Sequence, residues 1–248
     1  KKKTLPHELQ ANIVDVMPNV PVMRKIINPN DKTGLEITLF QFQTCPFCCK
    51  VRSFLDFSGL SYNVVEVDAV LRQSIKWSKN SKKVPIVLVK SKDGKYVQLN
   101  DSSLIISTLA SMLVDIKSDV QDLVKFYPVS TFTDVYGTVH DIANKYFIMF
   151  QDKKPKEDKE FFTEERKWRN WADSHLVHLI SPNVYRNYAE ARETFEWFSE
   201  CGQWSQYFPE WERNLMVHAG TAAMYLISKR LKKKHQLDDD VRSHLYEA

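Results

Sequence analysis

The sequence predicts an α/β domain followed by an all-α domain, and three observations support this prediction. Short strand-like runs of alternating or continuous apolar residues fill the first half of the chain and fade from about residue 120 onward. Longer segments with apolar side chains at helical spacing fill the second half. A chain of 248 residues, of which 43% are hydrophobic, can bury the cores of one large domain or two ordinary ones.

The first half of the chain alternates between strands and helices. The predicted elements are a strand over 36–42, a helix over 46–60, strands over 61–67, 84–90 and 95–99, and a helix over 101–113. The order βαβ followed by ββα is the thioredoxin-type plan, in which helices pack against a mixed sheet. We therefore assign residues 1–34 to an N-terminal arm and residues 35–115 to this α/β domain.

The second half of the chain is predicted to be helical. The predicted helices cover residues 132–150, 163–180, 188–200 and 211–234. Between the first two, residues 151–160 include no apolar side chain apart from one proline, which predicts a solvated loop. Helical spacing of the aromatic residues predicts core positions for Trp168, Trp171, Trp197, Trp204 and Trp211. We assign residues 116–248 to a helical domain that is incomplete at its C-terminus.

The composition argues against several classes of protein. The net charge of +4 is small and the basic residues are mostly spread along the chain, so no nucleic-acid partner is expected. No run reaches the roughly 18 apolar residues of a membrane span. Four cysteines, three of them clustered, indicate a thiol-reducing compartment rather than a disulfide framework. The chain begins without methionine and ends inside a capped helix over 238–248, so we expect the natural protein to extend further at both ends.

A cysteine-rich turn follows the first predicted strand. Cys45 lies at the N-terminal end of a predicted helix, where unpaired N–H groups and the helix dipole favour a thiolate. Cys48 lies one turn further on and is suited to resolve a mixed disulfide, whereas Cys49 points about 100° away as a packing or surface thiol. The alternatives are half of a zinc site, for which no second ligand pair follows at suitable spacing, and cysteines that only fill space.

Three motifs carry a resemblance to a known superfamily. The turn 44-TCPFC-48, followed by 83-KVPI-86 and 100-NDSSLI-105, resembles the glutaredoxin and glutathione-transferase superfamily. Longer blocks are similar to the membrane-associated prostaglandin E synthase type 2 family, and they cover residues 44–57, 61–67, 98–107, 171–186 and 221–235. The resemblance implies a thioredoxin/glutaredoxin-like N-terminal domain and a helical glutathione-transferase-like C-terminal domain.

The resemblance also implies an activity. It is the isomerisation of a prostaglandin endoperoxide to prostaglandin E, an intramolecular oxidoreduction within prostaglandin and fatty-acid biosynthesis. Cys45 matches the catalytic cysteine and Cys48 the second cysteine of the motif. The family has a tyrosine three residues before the catalytic cysteine, whereas this chain has Phe42, so the hydroxyl that can hydrogen-bond the thiol is absent.

Glutathione is the first cofactor that the resemblance implies. Pro85 matches a cis-proline that places the backbone of Val84 beside the thiol, where it can pair with an extended peptide-like ligand. Asp101 and Ser102, at the start of a predicted helix, match contacts to the γ-glutamyl end of glutathione.

Haem is the second implied cofactor, with the thiol of bound glutathione as the iron ligand. In that state the family is similar to a lyase that fragments the endoperoxide. The matching positions are His175, His178, Ser181, Arg230 and Lys234. The first three lie at spacings of three along one predicted helix, and Lys234 replaces an arginine of the family while keeping its positive charge. No protein-bound metal ion other than haem iron is expected.

The remaining implications concern partners and location. The family forms homodimers and associates with membranes through an N-terminal segment that precedes the region present here. The implied location is a membrane of the mitochondrion or Golgi, with a processed cytoplasmic form. Two other functions stay open: a glutathione-dependent thiol-disulfide oxidoreductase, which needs only the Cys45 and Cys48 pair, and a non-catalytic haem- and glutathione-binding protein or scaffold.

Overall fold

The protein is described by a computed structural model that covers residues 5–68, 71–134, 137–151 and 159–247. The chain forms two compact units, Lys1–Phe162 and Thr163–Ala248. The N-terminal part contains a thioredoxin-like mixed sheet and the C-terminal part is helical, so the predicted fold class is confirmed. The predicted domain boundary after residue 115 stays a prediction, and the compact units divide at a different point.

The first unit is built on a six-stranded mixed sheet. Its strands are β1 (Asn12–Val14), β2 (Arg24–Ile26), β3 (Ile37–Gln41), β4 (Tyr62–Glu66), β5 (Ile86–Lys90) and β6 (Tyr96–Asn100). They lie in the spatial order β1-β6-β5-β3-β4-β2, with β3 parallel to β4 and the other neighbours antiparallel. Both edge strands come from the predicted N-terminal arm. Each has three residues, too few for an alternating pattern to indicate a strand.

Helices and apolar side chains cover the two faces of this sheet. The helices of the first unit are α1 (Pro6–Leu9), α2 (Pro46–Phe57), α3 (Ser102–Val114) and α4 (Val120–Leu123). On one face Leu39 packs in a cluster with buried residues of α2 and α3, including Leu55 and Leu109. On the other face Phe40 packs with Ile86 and their buried neighbours. Consecutive residues of β3 thus point to opposite faces, as the pleat requires.

The predicted helix over 132–150 is wrong. The chain instead forms an antiparallel hairpin of β7 (Val129–Asp134) and β8 (Gly137–Ile142). The segment 129-VSTFTDVYGTV-139 is rich in valine and threonine, whose branched side chains favour a pleated strand over a helix. Local side-chain preference therefore outweighed the apolar spacing on which the helix prediction rested.

Buried hydroxyl groups of α3 hold the segment that follows α4. The Ser107 hydroxyl donates to the Lys145 carbonyl at 2.6 Å, and the Ser111 hydroxyl accepts from the Met149 N–H at 2.8 Å. Ser111 also lies 3.0 Å from the hydroxyl of Tyr127. Both serines are fully buried, so these bonds satisfy polar groups that water does not reach. They explain why residues well past 115 belong to the compact unit of the sheet.

The C-terminal part consists of helices. They are α5 (Lys159–Trp171), α6 (Val177–Val184), α7 (Tyr188–Cys201), α8 (Trp204–Tyr207), α9 (Glu210–Lys234) and α10 (Val241–Tyr246). A π-helical turn, Ala172–Leu176, joins α5 to α6. Helices α7 and α9 cross closely at Gly220, where an added Cβ would lie 2.3 Å from the Phe195 ring. Part of the predicted loop over 151–160, residues 152–158, lies outside the described residues.

The tryptophans of the helical region differ from their predicted burial. Trp204 is buried against its neighbours, but Trp168, Trp197 and Trp211 are 57%, 58% and 60% exposed, so the core prediction is wrong for these three. Helical spacing places aromatic residues on a common face without deciding whether that face is covered. Among the helices in the described ranges, none is both long and apolar enough to cross a bilayer.

Candidate functional site

The sheet register brings three loops of the first unit to one end of the sheet. Phe40 near the end of β3 lies opposite Ile86, the first residue of β5, and Ile86 lies opposite Asn100, the last residue of β6. Because β5 runs antiparallel to both neighbours, the turn after β3, the segment before β5 and the start of α3 meet at the same end of the sheet. Cys45 lies in the first of these loops and Asp101 in the last. The predicted thiol and glutathione positions therefore lie at the same end of the sheet.

Cys45 is the residue that precedes α2. Its backbone is extended, with φ −69° and ψ 125°, and its N–H donates to the Phe42 carbonyl at 3.1 Å. A hydrogen bond from the Cys48 thiol lowers the pKa of Cys45 to about 7 against the opposing effect of burial. The N–H groups of Cys48 and Phe47 and the charge of Arg52 lower this pKa further. A large fraction of Cys45 is therefore thiolate at neutral pH.

The other two cysteines of the turn differ from Cys45. Cys48 is fully buried in α2, and burial together with the nearby Cys45 thiolate raises the pKa of Cys48 well above its usual value. Cys49 is partly buried, and its sulfur accepts a hydrogen bond from Arg52 Nη2 at 3.3 Å. Cys45 therefore has the properties of a nucleophile, whereas Cys48 is suited to donate a hydrogen bond to it.

The segment before β5 contains the predicted proline. The peptide bond between Val84 and Pro85 is cis, Pro85 is buried and Val84 is partly buried beside the apolar cluster of the second sheet face. Phe42, three residues before Cys45, packs against the same cluster. The Arg72 guanidinium carbon lies 6.0 Å from the centre of the Phe42 ring. Sequence reasoning did not predict this arginine near the turn.

The start of α3 has a strained backbone. Asp101 has φ 77° and ψ 123°, outside the regions that residues with a side chain normally adopt. Its carboxylate accepts the N–H groups of Ser103 at 2.9 Å and Leu104 at 3.1 Å and so caps the helix. Ser102 is buried, and Lys50 of α2 donates to the Ser103 hydroxyl at 2.6 Å. Strain of this kind is found preferentially at ligand-binding sites.

The predicted haem positions lie in the helical region. His175 is exposed in the π-helical turn, with its ring centre 6.1 Å from that of Trp171. The His178 ring stacks on His235, with ring centres 4.5 Å apart and planes 19° from parallel. Lys234 Nζ lies 3.3 Å from His235 Nε2. The structure thus brings His178 and Lys234 to one cluster through His235, which sequence reasoning missed.

The remaining positions lie on neighbouring helices. Ser181 is partly buried in α6, and Arg230 is exposed on α9 one turn before Lys234. The π turn inserts an irregularity between His175 and His178, so these two do not continue one regular helical face as predicted. In the part of the chain that the structure describes, no group of three or more histidine, cysteine, aspartate or glutamate side chains is arranged to hold a metal ion.

A polar cluster beneath the cysteine turn was also missed. Glu66 of β4 is 2% exposed and forms an ion pair with Arg24 of β2. Gln41 Nε2 donates to Glu66 at 2.7 Å and to Gln43 Oε1 at 2.9 Å, and Arg52 Nη1 donates to Gln41 Oε1 at 2.8 Å. Burial raises the pKa of Glu66 despite these bonds. A charged residue inside the apolar run 61-SYNVVEV-67 was the available signal.

Comparisons with known proteins agree with this geometry. The Glutaredoxin family model matches residues 37–94, which contain the cysteine turn and the cis-proline. Prostaglandin E synthase 2 of Mus musculus is 48% identical over 219 residues, which are 87% of this chain and 55% of the mouse protein. Its namesake in Danio rerio is 44% identical over 220 residues, 87% of this chain and 56% of the fish protein. The chain is a homologue of prostaglandin E synthase 2.

The homology confirms the family prediction made from the motifs. The alignments to both synthases extend over 87% of the chain and so well beyond the Glutaredoxin match at residues 37–94. The chain spans about half the length of the two relatives, 55% and 56%.

Proposed function

We propose that this homologue isomerises a prostaglandin endoperoxide to prostaglandin E, with Cys45 as the nucleophile and glutathione bound beside it. The observation that carries the proposal is the Cys45 thiol, placed at the start of α2 with a pKa of about 7 and hydrogen-bonded by the buried thiol of Cys48. A nucleophile that is largely ionised at neutral pH suits attack on a weak O–O bond. The homology to prostaglandin E synthase 2 suggests the substrate class.

The proposed reaction is a rearrangement without net oxidation. The Cys45 thiolate bonds to one peroxide oxygen, the O–O bond breaks, and the other oxygen leaves as an alkoxide that takes up a proton. Removal of the hydrogen from the carbon that carries the sulfur-bound oxygen forms the ketone and returns the electron pair to sulfur. The product is a β-hydroxyketone and the thiolate is regenerated.

Residues with suitable chemistry for binding glutathione lie at the same end of the sheet. The Val84 backbone before β5 can pair with an extended peptide, and the Asp101 carboxylate can accept the γ-glutamyl amino group. The start of α3, with Ser102, offers the positive end of a helix of 13 residues to the α-carboxylate. Lys50, which donates a hydrogen bond to the nearby Ser103 hydroxyl, adds a positive charge close to the start of α3.

The test of the isomerase is product analysis with prostaglandin endoperoxide and the purified full chain. The expected result is prostaglandin E above the spontaneous background, lost in Cys45→Ser. Cys201→Ser is the matched control, because Cys201 is an exposed cysteine at the end of α7. Background product alone, or full activity in Cys45→Ser, would contradict the proposal.

A more specific proposal is that this protein also has a haem-bound form. The residues present fit the propionates, because Arg230 and Lys234 are exposed cations at i, i+4 on α9, and the His178 and His235 rings lie beside Lys234. When bound, haem would supply iron chemistry suited to O–O bond cleavage, as in a lyase. The residues that would hold the group are Arg230 and Lys234, through the propionates, together with His175, His178 and Ser181.

The haem proposal is tested by absorption spectra with added haem, with and without glutathione. We expect a glutathione-dependent shift of the Soret band that is weakened in His178→Ala. His218→Ala is the matched control, since His218 is exposed elsewhere on α9. A spectrum that does not respond to glutathione, or equal shifts in both variants, would contradict it.

A second candidate function rests on the contact between two thiols. The hydrogen bond from Cys48 to Cys45 places them close enough for a dithiol pair of a glutathione-dependent thiol-disulfide oxidoreductase. Cys45 would attack a disulfide and release one thiol, and Cys48 would attack the resulting mixed disulfide and release the second thiol. Two molecules of glutathione would then reduce the Cys45–Cys48 disulfide and leave as oxidised glutathione. Reduction of a small disulfide by glutathione, lost in Cys45→Ser, favours this function if no prostaglandin E forms. A non-catalytic carrier would bind haem or glutathione and show neither activity.

We also propose how the natural protein is organised. Homodimer formation, association with a membrane of the mitochondrion or Golgi through an upstream segment, and a processed cytoplasmic form are proposals. Size-exclusion chromatography coupled to light scattering tests the dimer on the present chain. The expected mass is twice the 29.0 kDa of the chain, and a mass of a single chain would contradict the dimer proposal.

A further inference from the structure

Helix α9 has an apolar exposed side as well as an apolar buried side. On the buried side Met224 packs against the cluster of buried residues that includes Phe195 of α7. On the opposite side Leu215 and Leu226 are 40% and 65% exposed. Residues 214–228 include no aspartate, glutamate, lysine or arginine, so no permanently charged side chain lies on the exposed side of this stretch. Because a surface helix normally presents charged or polar side chains to water, this side is expected to be covered by a partner.

The exposed apolar residues form one continuous stripe along α9. They follow one another at spacings of three or four residues, which keeps them on one side of the helix. The stripe, called the α9 stripe below, consists of Trp211, Leu215, Ala219, Ala222, Leu226, Lys229 and Lys233, all of them exposed, with His218 at its edge. Its large apolar side chains thus lie on either side of two alanines, and its cations lie at one end.

The order of residues along the α9 stripe is complementary to itself. When two copies of α9 lie antiparallel and cross at the alanines, Leu215 of each copy faces Leu226 of the other. The small side chains at the crossing let the two helices approach closely. Trp211 of each copy then lies beside Lys229 of the other, whose ammonium already lies 4.5 Å from the centre of the Tyr225 ring and can contact a second aromatic ring. Such a contact is the same on both copies, as a two-fold axis requires.

The charges at the two ends of α9 favour the antiparallel direction. Glu210 and Glu212 lie in the first turn of the helix, whereas Lys229 and Lys233 lie near its end. Antiparallel pairing brings the acidic beginning of each helix beside the basic end of the other. Parallel pairing would instead bring like charges together, which costs free energy.

A lipid bilayer fits the α9 stripe less well than a second copy does. The lysines would attract anionic headgroups, but the two glutamates at the start of α9 would be repelled by them. The alanines in the middle of the stripe would also contribute little apolar area to insertion into the bilayer. A second copy satisfies both ends of the helix and uses the alanines for close approach.

We propose that the α9 stripe is the contact surface of a symmetric dimer, in which it pairs antiparallel with the α9 stripe of a second copy of this chain. The inference goes beyond the proposed isomerase and assigns a surface to the homodimer proposed above. It rests on the exposure and order of residues along one helix. Its test needs neither prostaglandin nor a cofactor, so its failure would leave the isomerase proposal unaffected.

The size of the α9 stripe indicates how strong this dimer is. From Trp211 to Lys233 the stripe extends about 33 Å along a helix that is about 10 Å wide. It therefore covers roughly 350 Å² of each copy, less than the about 800 Å² per partner of a standard interface. We expect a dimer that dissociates on dilution.

The test is analytical ultracentrifugation of the full chain over a range of about 1–200 µM, which covers weak association. We expect the dimer fraction of the parent chain to rise with concentration. Leu215→Glu and Leu226→Lys each place a charge against a leucine of the other copy, and each is expected to weaken dimerisation at least about tenfold. Both positions are exposed in the single chain, so both variants are expected to fold, and circular dichroism checks this.

A mixture of the two variants tests the direction of pairing. In an antiparallel mixed dimer, the carboxylate introduced by Leu215→Glu meets the ammonium introduced by Leu226→Lys, and the second contact is the unchanged pair of leucines. We therefore expect the mixture to dimerise at least about threefold more tightly than either variant alone. A mixture that associates no more tightly than the single variants would overturn the antiparallel pairing.

Leu113→Glu is the matched control, because Leu113 is a leucine of α3 that is 37% exposed. It is expected to dimerise like the parent, and an equal weakening in this variant would overturn the proposal. A parent chain that stays a monomer at every concentration would overturn the surface and the homodimer together. Variants that dimerise as tightly as the parent would leave a dimer but overturn its assignment to α9.

Flotation with vesicles of phosphatidylserine and phosphatidylcholine tests the bilayer as the alternative occupant. We expect no flotation of the parent chain that depends on Leu215. A parent chain that stays a monomer and floats with the vesicles, with flotation lost in Leu215→Glu, would assign the α9 stripe to a bilayer and overturn the proposal.

Discussion

Two cysteines one helical turn apart have opposite acid–base properties in this fold. Cys45 precedes the first turn of α2, where N–H groups of the helix lack intrahelical partners and stabilise a negative charge. Cys48 points into the core, where no water stabilises its thiolate. The difference follows from position alone, since both residues carry the same side chain. It assigns the nucleophile to Cys45 and the hydrogen-bond donor to Cys48.

The first prediction concerns selective alkylation of these two thiols. At pH 7 iodoacetamide is expected to modify Cys45 in the native chain, with a rate that rises as the pH passes through about 7, where this thiol ionises. Cys48, fully buried and with a raised pKa, is expected to react only after unfolding. Peptide mapping after timed alkylation with and without denaturant measures both. Native modification of Cys48 at a rate similar to that of Cys45 would contradict this assignment.

At the scale of elements, Asp101 at the start of α3 has a structural role as a helix cap and a proposed role in binding glutathione. The carboxylate caps α3 by accepting two N–H groups, so Asp101→Ala should destabilise the protein by about 1 kcal/mol in urea unfolding. Asp101→Asn retains an oxygen acceptor for the cap but loses the charge proposed to hold the amino group of glutathione. We expect it to keep most of the stability while weakening glutathione binding, as measured by calorimetric titration.

Asp119→Asn provides a comparison for the Asp101 variants. Asp119 caps the short helix α4 by accepting the Gln121 N–H at 2.8 Å and lies after the end of α3. Because α3 begins at the opposite end from this cap, glutathione affinity should not change. Equal losses of affinity in Asp101→Asn and Asp119→Asn would mean that the effect is a general loss of stability.

The buried hydroxyls of α3 give the third prediction. Ser111→Ala removes the acceptor of the Met149 N–H, which is left unsatisfied, and one partner of the Tyr127 hydroxyl, which keeps its hydrogen bond to the Phe147 carbonyl. The expected cost is about 1–3 kcal/mol in the free energy of unfolding. Thr108 is the matched control, because its equally buried hydroxyl has no hydrogen-bond partner among the described residues. Thr108→Val should be close to neutral, and a cost as large as that of Ser111→Ala would contradict the role given to the hydrogen bonds.

For the whole molecule, sequence patterns predicted the parts that depend on local spacing. The central strands and the helices α2 and α3 were predicted because alternation, helical spacing and caps lie within each segment. The cysteine turn and the cis peptide at Pro85 were predicted because they follow motifs of the superfamily. Non-local features were missed, since the ion pair of Arg24 with Glu66 joins residues 42 positions apart and no local pattern indicates it. The hairpin β7–β8 was wrongly predicted as a helix, because the helical spacing of its apolar residues was taken as stronger evidence than its branched side chains, which favour a strand.

Two carboxylates tie distant segments of the first unit together. Asp31 accepts hydrogen bonds from Thr33 and, across 30 positions, from the Ser61 N–H at 2.6 Å. Asp119 likewise accepts from the Ser91 hydroxyl and the Lys92 N–H, each at 2.7 Å. Partial burial opposes ionisation in both, but the hydrogen bonds outweigh it and hold the pKa of each carboxyl below its usual value.

The last prediction is that these two carboxylates make the protein sensitive to acid. A carboxyl whose pKa is lowered by folding stabilises the native state above its unfolded pKa of about 3.9, and this contribution is lost as the pH falls through the folded value. Glu66, whose pKa is raised, acts in the opposite direction, so its contribution is lost as the pH rises. Urea unfolding at several pH values between about 5 and about 2.5 should show a shallower loss of stability in Asp31→Asn and Asp119→Asn than in the parent. Asp122→Asn, which removes only an exposed ion pair with Lys125, should keep the slope of the parent, and equal slopes in all variants would place the acid sensitivity elsewhere.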